Sequence, residues 1–595
     1  MRPTGAGSCL TGLVVALALA PLSAHGQEPP ARDSAPSPQA LAAPVSPFLP
    51  TFPIQTAPGP LPPGTRYVFT RDSILWSSSQ TLADLLGSVP GVYVAKGGFL
   101  GLPEYAYYGG RGAAGVEVYW DGLPLMPLGG DSVYLDLGTV PLTYLRRVDV
   151  QVLPATLRVF LISERHEGRD PRSLIRVMSG SFKTAAYTGL FQQRWPSGLG
   201  ANLAAHFGGT DGASGENRSD QAFDGWVRLE WMPSARAGAS YQVRRQTYDR
   251  DAVRTGRTPA VVPERIPQRH GARSDYLFSV FAASRPDGLG LVLDAGIGSS
   301  AWTNDSIPDD QGVRQAHVGL GYRASTLAAE VRGRVGDSRT TSGVDGRLAW
   351  SPVPGIALAG DARYRRHTGT RSSSDVHATA ALWRGPLALV GAIAKSEAVQ
   401  APALRADTAQ ETLDRSLRLS FSTRPLGASL GLVERDAYRP LPFAEFPVLP
   451  RAGRSSKGSW LVAEGHVQPW KPLTLAGWYQ HPRGGTADFQ PPAMSRVQAT
   501  FRSKFWRTFR SGAFDLKVQF ALESWDDGTA GLTDAGAPIP LEAVTYQEWH
   551  VAFQILDFTA FWDLRDAALA QKQYVPGLSF PPNAQVFGVR WEFSN

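Results

Sequence analysis

Cysteine is nearly absent from this chain of 595 residues, which contains one, Cys9. Because Cys9 lies within a segment that we expect to be removed on export, the exported chain would form neither an internal disulfide nor a thiolate metal site. Helix-sized apolar runs are also scarce. Apart from Leu10–Leu22, no stretch approaches the roughly 20 apolar residues that a membrane helix needs. If the exported chain crosses a membrane, it must therefore do so as a closed β-barrel.

The N-terminus has the pattern of a secretory signal. Arg2 precedes the apolar run, which ends at the small-residue site Ala24-His25-Gly26. The sequence therefore predicts a signal peptide over 1–26. A lipid anchor on Cys9 is disfavoured, because a lipid-attachment cysteine follows the apolar core rather than preceding it.

Signatures of catalysis and of nucleotide binding are missing. The chain has no Gly-x-Ser-x-Gly elbow, no His-Glu-x-x-His pair and no phosphate-cradling loop. The formal net charge of +7 is scattered along the chain, which favours a basic lumen and rim facing anionic lipid over nucleic-acid binding. His466 and His550 lie beside glutamates, a pattern more typical of lumen hydrogen bonds than of metal ligands. We expect no enzymatic activity, no cofactor and no metal site.

Strand-like alternation is abundant in residues 171–595. Apolar and polar side chains alternate over many segments, for example Val227–Trp231, Leu417–Phe421, Leu516–Glu523, Trp549–Ile555 and Phe587–Phe593. Tight connections such as Pro352–Gly355 alternate with longer polar ones such as Asp249–His270. This length exceeds an ordinary β-sandwich, so the pattern predicts an all-β transmembrane barrel of about 22 antiparallel strands.

Two segments of different character precede the predicted barrel. Residues 27–64 are rich in Pro, Ala and Ser and have no hydrophobic period, so we expect an extended periplasmic tether. Residues 65–170 predict a small α+β domain. Apolar residues at helical spacing begin at Leu82 and end at Pro90-Gly91. Strands are predicted over 92–94, 116–120 and 145–152, and Asp121-Gly122 is a turn signal.

The order and spacing of these fragments resemble the TonB-dependent outer-membrane receptors. The resemblance covers about 90 residues and implies a plug domain inside a 22-stranded barrel. The fragments that carry it are Thr81–Leu86, Val89–Val92, Gly97-Gly98, Arg111-Gly112, Val116–Leu125 and Pro141–Val150. Three features depart from the family pattern: residues 154–165 at the end of the plug lack glycine, no hydrophobic coupling box is identifiable near the mature N-terminus, and Phe593 is followed by Ser594-Asn595.

The resemblance implies a function and a set of residues. It implies a monomeric receptor in the cell outer membrane of a Gram-negative-type bacterium, contacting lipid and lipopolysaccharide. It would bind a scarce nutrient such as a siderophore and work with a TonB-type energy-coupling protein. Candidate ligand contacts in the apical plug loops are Lys96, Tyr105, Tyr107, Tyr108, Met126 and Asp131. Candidate structural residues of the plug are Pro90, Gly91, Arg111, Gly112, Asp121 and Gly122, and we expect Arg111 to pair with a barrel-wall carboxylate.

The departures leave a second hypothesis open. A plugged barrel with an altered plug end and no visible coupling box could have lost transport. It would then act as a surface receptor, an adhesin or an assembly component. The sequence does not identify the ligand, because specificity depends on loop geometry.

Overall fold

A computed structural model describes most of the chain from residue 64 onward. The described residues are 64–98, 100–129, 133–212, 220–254, 265–266, 268–304, 311–337, 339–404, 407–443, 455–485, 490–533, 535–566 and 572–594. The predicted signal peptide, and the predicted tether up to residue 63, lie outside them. No helix in the described part of the chain is long and apolar enough to cross a membrane.

The N-terminal part of the described chain forms a small α+β plug with short helices. The second helix starts with a capping box, in which Thr81 accepts a hydrogen bond from the Asp84 backbone amide (3.2 Å) and Asp84 accepts one from the Thr81 backbone amide (3.3 Å). Its apolar face is buried in the plug core. The helices are α1 (Arg71–Leu75) and α2 (Leu82–Leu86), with 3-10 turns at Gly112–Gly115 and Leu137–Thr139.

Seven strands complete the plug. They are β1 (Arg66–Thr70), β2 (Tyr93–Lys96), β3 (Glu104–Tyr107), β4 (Val116–Trp120), β5 (Leu123–Pro124), β6 (Leu145–Val152) and β7 (Leu157–Ser163). Five form one sheet in the order β1-β6-β7-β4-β5, in which β4 and β7 are parallel, while β2 and β3 form a separate hairpin. The strands predicted over 116–120 and 145–152 are confirmed as β4 and β6. The divergent segment that lacks glycine still forms a strand, β7.

A closed antiparallel barrel surrounds the plug. It contains 22 strands, β8–β12, β15–β28, β31, β32 and β35, and closes where β35 pairs with β8. The predicted fold class and strand number are confirmed. Six further strands, β13, β14, β29, β30, β33 and β34, form three separate two-stranded sheets. The strands are β8 (Arg172–Gly180), β9 (Thr184–Arg194), β10 (Leu199–Thr210), β11 (Asp220–Ser234), β12 (Ala237–Arg250), β13 (Val253–Arg254), β14 (Arg265–Ile266), β15 (Arg269–Ala283), β16 (Gly290–Thr303), β17 (Gln311–Arg323), β18 (Leu327–Gly336), β19 (Thr340–Trp350), β20 (Ile356–His367), β21 (Ser372–Arg384), β22 (Leu387–Ala398), β23 (Gln410–Ser422), β24 (Leu426–Arg435), β25 (Gly458–Trp470), β26 (Leu473–Gly484), β27 (Met494–Ser503), β28 (Phe514–Trp525), β29 (Gly528–Leu532), β30 (Pro538–Leu541), β31 (Val544–Ile555), β32 (Phe558–Asp566), β33 (Lys572–Val575), β34 (Leu578–Phe580) and β35 (Ala584–Ser594).

Side chains alternate across the barrel wall in the sense that a membrane requires. On β11, Leu229 is 48% exposed on the outer face, whereas Arg228 and Glu230 are buried against the plug. Successive side chains of a strand point to opposite faces, and the outer face of a membrane barrel meets lipid. The apolar residues of the repeating pattern therefore form the lipid-facing surface.

The two ends of the barrel differ in the length of their connections. At one end, named here the short-turn end, β11 joins β12 through residues 235–236 and β25 joins β26 through 471–472. At the opposite, long-loop end, β12 joins β15 through 251–268, and the hairpins β13-β14, β29-β30 and β33-β34 belong to these loops. In outer-membrane barrels the short turns face the periplasm and the long loops face outward.

Candidate ligand-binding site

The turn between β4 and β5 places Asp121 against the barrel wall. Asp121 and Gly122 have φ values of 42° and 91°, a region that glycine and aspartate tolerate better than other residues. The carboxylate of Asp121 accepts hydrogen bonds from Arg228 on β11 (2.9 Å) and Gln242 on β12 (2.9 Å). Burial would raise the pKa of Asp121, but the guanidinium groups of Arg228 and Arg165 outweigh burial and lower it. The turn is therefore held to the wall by an ionised carboxylate.

Arg111 makes the converse contact, with the cation on the plug. Its guanidinium pairs with Asp414 on β23, donates to Thr412 (2.6 Å) and lies 5.2 Å from the ring centre of Tyr438. The expected pairing of Arg111 with a wall carboxylate is confirmed. Gly112 follows with a φ of 59°, which permits the chain to turn directly after the ion pair.

Pro90 and Gly91 lie at a third contact between plug and wall. They follow α2, and Gly91 has a φ of 81°. The carbonyl of Gly91 accepts a hydrogen bond from the side chain of Gln490 (3.3 Å), which also accepts one from the Gly110 amide (3.2 Å). The geometry of these plug residues is compatible with the structural role predicted for them.

Tyr105 and Tyr107 belong to an aromatic cluster at the long-loop end. The ring of Phe443, from the loop between β24 and β25, lies 4.7 Å from the ring centre of Tyr105, 6.3 Å from that of Tyr107 and 4.7 Å from that of Tyr134. Tyr105 is 1% exposed. The two tyrosines are therefore covered by an extracellular loop, and Phe443 would have to move before a ligand could contact Tyr105.

The cluster continues along the same face of the plug. Tyr93 packs edge-on against Trp525 of β28, with ring centres 5.3 Å apart, and its hydroxyl donates to the carbonyl of Tyr574 on β33. Tyr574 stacks on Tyr546 at 4.6 Å. Aromatic packing of this kind stabilises contacts beyond the area it buries. We name the whole set the aromatic cluster; its rings are Tyr93, Tyr105, Tyr107, Tyr134, Phe443, Trp525, Tyr546, Tyr574 and Phe580.

Tyr108 has a different environment from its two neighbours. It packs in the apolar core of the plug, and its hydroxyl lies 3.5 Å from the carbonyl of Leu153. Burial raises its pKa to about 12. Of the three predicted tyrosine contacts, Tyr108 is thus the one that lies in the core of the plug.

Lys96 lies in a buried charged group within the plug. Its ammonium pairs with Asp84 and lies 3.7 Å from Glu104, whose carboxylate also accepts a hydrogen bond from Thr81. Burial would lower the pKa of Lys96, but the carboxylates of Asp84 and Glu104 outweigh burial and raise this pKa. Burial raises the pKa of Glu104 to about 7, with Lys96 opposing and Asp136 adding to the rise. Lys96 therefore already has an anionic partner inside the plug.

Met126 lines a cavity of about 280 Å³ between the plug and the wall at strands β17–β23. The cavity extends toward the long-loop end, where it meets the loop between β22 and β23. Asp131, the remaining predicted contact, lies outside the described residues. The structure thus brings Tyr105 and Tyr107 together in the aromatic cluster, whereas Lys96, Tyr108 and Met126 lie elsewhere. Their role as ligand contacts stays a prediction.

Arginines of the barrel wall dominate the charged lining of this cavity, and the sequence did not single them out. Arg363 on β20 donates to both carboxylate oxygens of Glu117 on β4, at 2.7 and 2.8 Å. Arg365 pairs with Asp375 at 2.5 Å. Arg339 is buried, donates to the carbonyl of Pro127 in the plug loop (2.6 Å) and makes no ion pair with any described residue. The only sequence signal was alternation of basic residues along β20, which a lumen wall shows in many strands.

Metal ligands do not cluster in the described part of the chain. No group of three or more His, Asp or Glu side chains there is arranged to hold a metal ion. His550, weighed as a possible ligand in the sequence, pairs with Asp563 on the neighbouring strand.

A plug held by buried ion pairs within a closed 22-strand barrel resembles the architecture of the TonB-dependent outer-membrane receptors. Residues 62–158 match the family model described as TonB-dependent receptor plug domain. The chain thus carries the plug domain of this class inside a barrel with its strand number.

Solved structures of similar fold cover nearly the whole chain. A mutant of the ferric enterobactin receptor PfeA from Pseudomonas aeruginosa has a TM-score of 0.64 at 11% identity, covering 89% of this chain and 98% of that one. The siderophore receptor PirA from Acinetobacter baumannii has a TM-score of 0.65 at 11% identity, covering 89% and 98%. The FrpB iron transporter from Neisseria meningitidis has a TM-score of 0.66 at 9% identity, covering 89% and 99%. No curated protein sequence matches the chain. At these identities the likeness concerns the fold.

Proposed function

We propose that this protein is an outer-membrane receptor and transporter that binds an anionic metal chelate, such as a ferric siderophore, at its extracellular end and passes it to the periplasm. The observation that carries the proposal is the charge of the cavity beside Met126. Six arginines and four carboxylates line it, so its formal charge is positive before histidine is counted. A cavity of this charge favours a ligand with carboxylate, catecholate or hydroxamate oxygens.

Arg339 is the residue that we expect to contact such a ligand. Four of the other arginines pair with carboxylates of the plug or wall, so their charge is already balanced; they are Arg111, Arg334, Arg363 and Arg365. The fifth, Arg314, is exposed. Arg339 has a single carbonyl partner among the described residues. A buried guanidinium that has no carboxylate partner among the described residues would gain a charge-assisted hydrogen bond from an anionic ligand.

Three proteins of similar structure support this ligand class: a ferric enterobactin receptor, a siderophore receptor and an iron transporter. Transport past the plug would require work, and a TonB-type protein pulling on the predicted tether is the source that the family resemblance implies.

The test measures uptake and binding of two iron chelates of opposite charge. The full-length protein is produced in cells that lack their own siderophore receptors, and radioiron is supplied as ferric enterobactin, an anion, or as ferrioxamine B, a cation. We expect uptake of the anionic chelate that requires the coupling protein. Arg339→Gln should weaken its binding by about tenfold or more, since a charge-assisted hydrogen bond contributes about 1.5–3 kcal/mol. Arg424→Gln, on an exposed turn at the opposite end, serves as control. Binding of neither chelate would contradict the proposal.

A non-transporting plugged barrel is the second candidate, and the aromatic cluster favours it. Phe443 and Trp525 cover the plug tyrosines that would otherwise face an incoming ligand. A protein of this kind would bind a partner or chelate at the surface without uptake. Binding that persists while uptake stays at the level of receptor-free cells would support this candidate over the first.

A further inference from the structure

The turn between β27 and β28 differs from every other turn at the short-turn end. It comprises residues 504–513, whereas the other turns at this end have two to six residues. Its sequence is Lys-Phe-Trp-Arg-Thr-Phe-Arg-Ser-Gly-Ala, which contains three cations and no acid. We name it the basic turn.

The basic turn has a defined conformation. The amides of Thr508 and Phe509 donate to the carbonyl of Phe505 (2.8 and 2.9 Å), and the amide of Gly512 donates to the carbonyl of Phe509 (3.1 Å). A side chain at Gly512 would collide with the ring of Trp506, which lies directly over this glycine. The turn therefore holds its side chains in fixed relative positions.

Its aromatic rings extend the lipid-facing surface. Phe509 stacks on Phe514 of β28 with ring centres 4.8 Å apart, and Phe505 lies 6.1 Å from Phe501 of β27. Trp506 is 58% exposed, although tryptophan usually buries most of its surface. Aromatic rings exposed at the end of a membrane barrel lie at the level of the lipid headgroups.

The cations of the basic turn are exposed and have no carboxylate partner. Lys504, Arg507 and Arg510 make no ion pair with any described residue, and the Lys504 ammonium lies 5.7 Å from the ring centre of Trp506. Guanidinium and ammonium groups bind phosphate oxygens through charge-assisted hydrogen bonds. Three such groups next to rings at headgroup depth form a binding surface for a phosphate diester with acyl chains.

The adjacent turns widen this surface. The amide of Arg502 donates to the carbonyl of Pro472 (2.7 Å), which brings in Trp470, 67% exposed, and Lys471. The amide of Leu556 donates to the carbonyl of Ala513 (2.8 Å), which places an exposed leucine on the other side. The patch thus combines a fourth cation with apolar residues on both flanks.

We propose that the basic turn is a binding site for the headgroup of an anionic phospholipid in the periplasmic leaflet. Lys504, Arg507 and Arg510 would contact the phosphate while Phe505, Trp506 and Phe509 pack against the upper acyl chains. The site would anchor this side of the barrel at a defined depth. The inference depends on the orientation of the barrel and is independent of the ligand that the receptor binds.

The test compares lipid retention by the full-length protein. The protein is reconstituted into vesicles of phosphatidylethanolamine with a minor share of phosphatidylglycerol, extracted in polymer-bounded discs, and the ratio of the two lipids is measured by mass spectrometry. We expect enrichment of phosphatidylglycerol over the vesicle ratio, and a two- to tenfold smaller enrichment for the triple variant Lys504→Gln, Arg507→Gln, Arg510→Gln. All three side chains are exposed, so the variant should fold.

A matched control removes the same charge from other turns. Arg236→Gln, Arg323→Gln and Arg424→Gln together remove three exposed cations that lie in, or directly before, separate turns at the same end. This variant should keep the enrichment of the parent protein. Equal enrichment of phosphatidylglycerol in the parent protein and in the triple variant would overturn the proposal. Equal loss in the triple variant and the control would overturn it as well, because it would indicate general charge attraction.

Discussion

The plug and the barrel wall solve the same packing problem with opposite patterns. The plug has an apolar core, with Leu82, Val148 and Leu157 fully buried, and several of its charged residues, such as Asp121, face the barrel wall. The wall has its apolar residues outside, as Leu229 shows, and its charged residues inside. At several places where the two meet, charge faces charge. The difference shows that contact with lipid reverses the usual arrangement of apolar and charged side chains in the barrel wall, whereas the plug folds much like a water-soluble domain.

The boundary between plug and wall is therefore stabilised by paired charges as well as by aromatic contacts such as Tyr93–Trp525. Asp121–Arg228, Arg111–Asp414 and Glu117–Arg363 each join a plug residue to a wall residue. Buried pairs contribute modestly to net stability, yet removing one partner is strongly destabilising because a charge is left buried and unpaired.

Arg228→Leu should give the largest loss of stability, because it places an apolar side chain, of the kind found on the lipid-facing surface, on the inner face of the wall. Asp121 and Glu230 would lose their guanidinium partner, and Arg228 is 1% exposed. We expect the free energy of unfolding in lipid vesicles to fall by about 3–5 kcal/mol. Arg424→Leu, on an exposed turn, should change it by less than about 0.5 kcal/mol. Equal effects of the two substitutions would show that the boundary does not depend on paired charge.

Leu229→Arg is the converse substitution, because it places a charge on the lipid-facing surface one residue away from Arg228. We expect a loss of about 2–4 kcal/mol in the same unfolding measurement, the cost of an arginine near the bilayer midplane. Leu229→Phe keeps an apolar side chain at this position and should cost little. A tolerated arginine would mean that this face does not meet lipid.

Glu104→Gln should give a smaller and pH-dependent effect, confined to the plug. The pKa of Glu104 is raised by burial from its ordinary value of 4.5 to about 7, next to Lys96, Asp84 and Asp136. Between these pH values the folded plug retains a proton that the unfolded chain has released, so stability falls as pH rises through the window. The loss is at most on the order of 3 kcal/mol, since tenfold in proton affinity corresponds to about 1.4 kcal/mol.

Hydrogen exchange of the amides of β3 at pH 5 and pH 8, corrected for intrinsic rates, measures this effect. Protection should fall with pH in the parent protein and stay nearly constant in Glu104→Gln. Glu117→Gln is the control, because Arg363 and Arg158 outweigh burial and hold the pKa of Glu117 well below its usual range. Retained pH dependence in Glu104→Gln would assign the effect to another group.

Local pattern predicted most of the fold, whereas contacts across the lumen could not be predicted. Arg228 and Leu229 alternate because one face of the strand meets the lumen and the other meets lipid, so this pattern is visible in the sequence. The partner of Arg228 is Asp121, which lies 107 residues away and meets it only through the closed lumen. The same reasoning applies to Arg111, for which the sequence indicated a wall carboxylate but not Asp414.

The candidate site was harder to predict than the fold. Tyr105 and Tyr107 were predicted as apical aromatics, yet their cover by Phe443 depends on a long loop whose path has no periodic signal. Arg339 follows a lumen strand and has no local feature that marks it as unpaired. Its significance follows from its lack of a carboxylate partner among the described residues, which is a property of the assembled lumen.

The charged boundary around the plug also makes it wettable. If the plug shifts, Arg228, Asp121 and their neighbours can exchange each partner for water, so this part of the boundary exposes charged rather than apolar surface. At these positions the vacated wall would fill with water rather than collapse. Reseating would then be guided by complementary charges at known positions, which allows a seal of this kind to open and close repeatedly without damage.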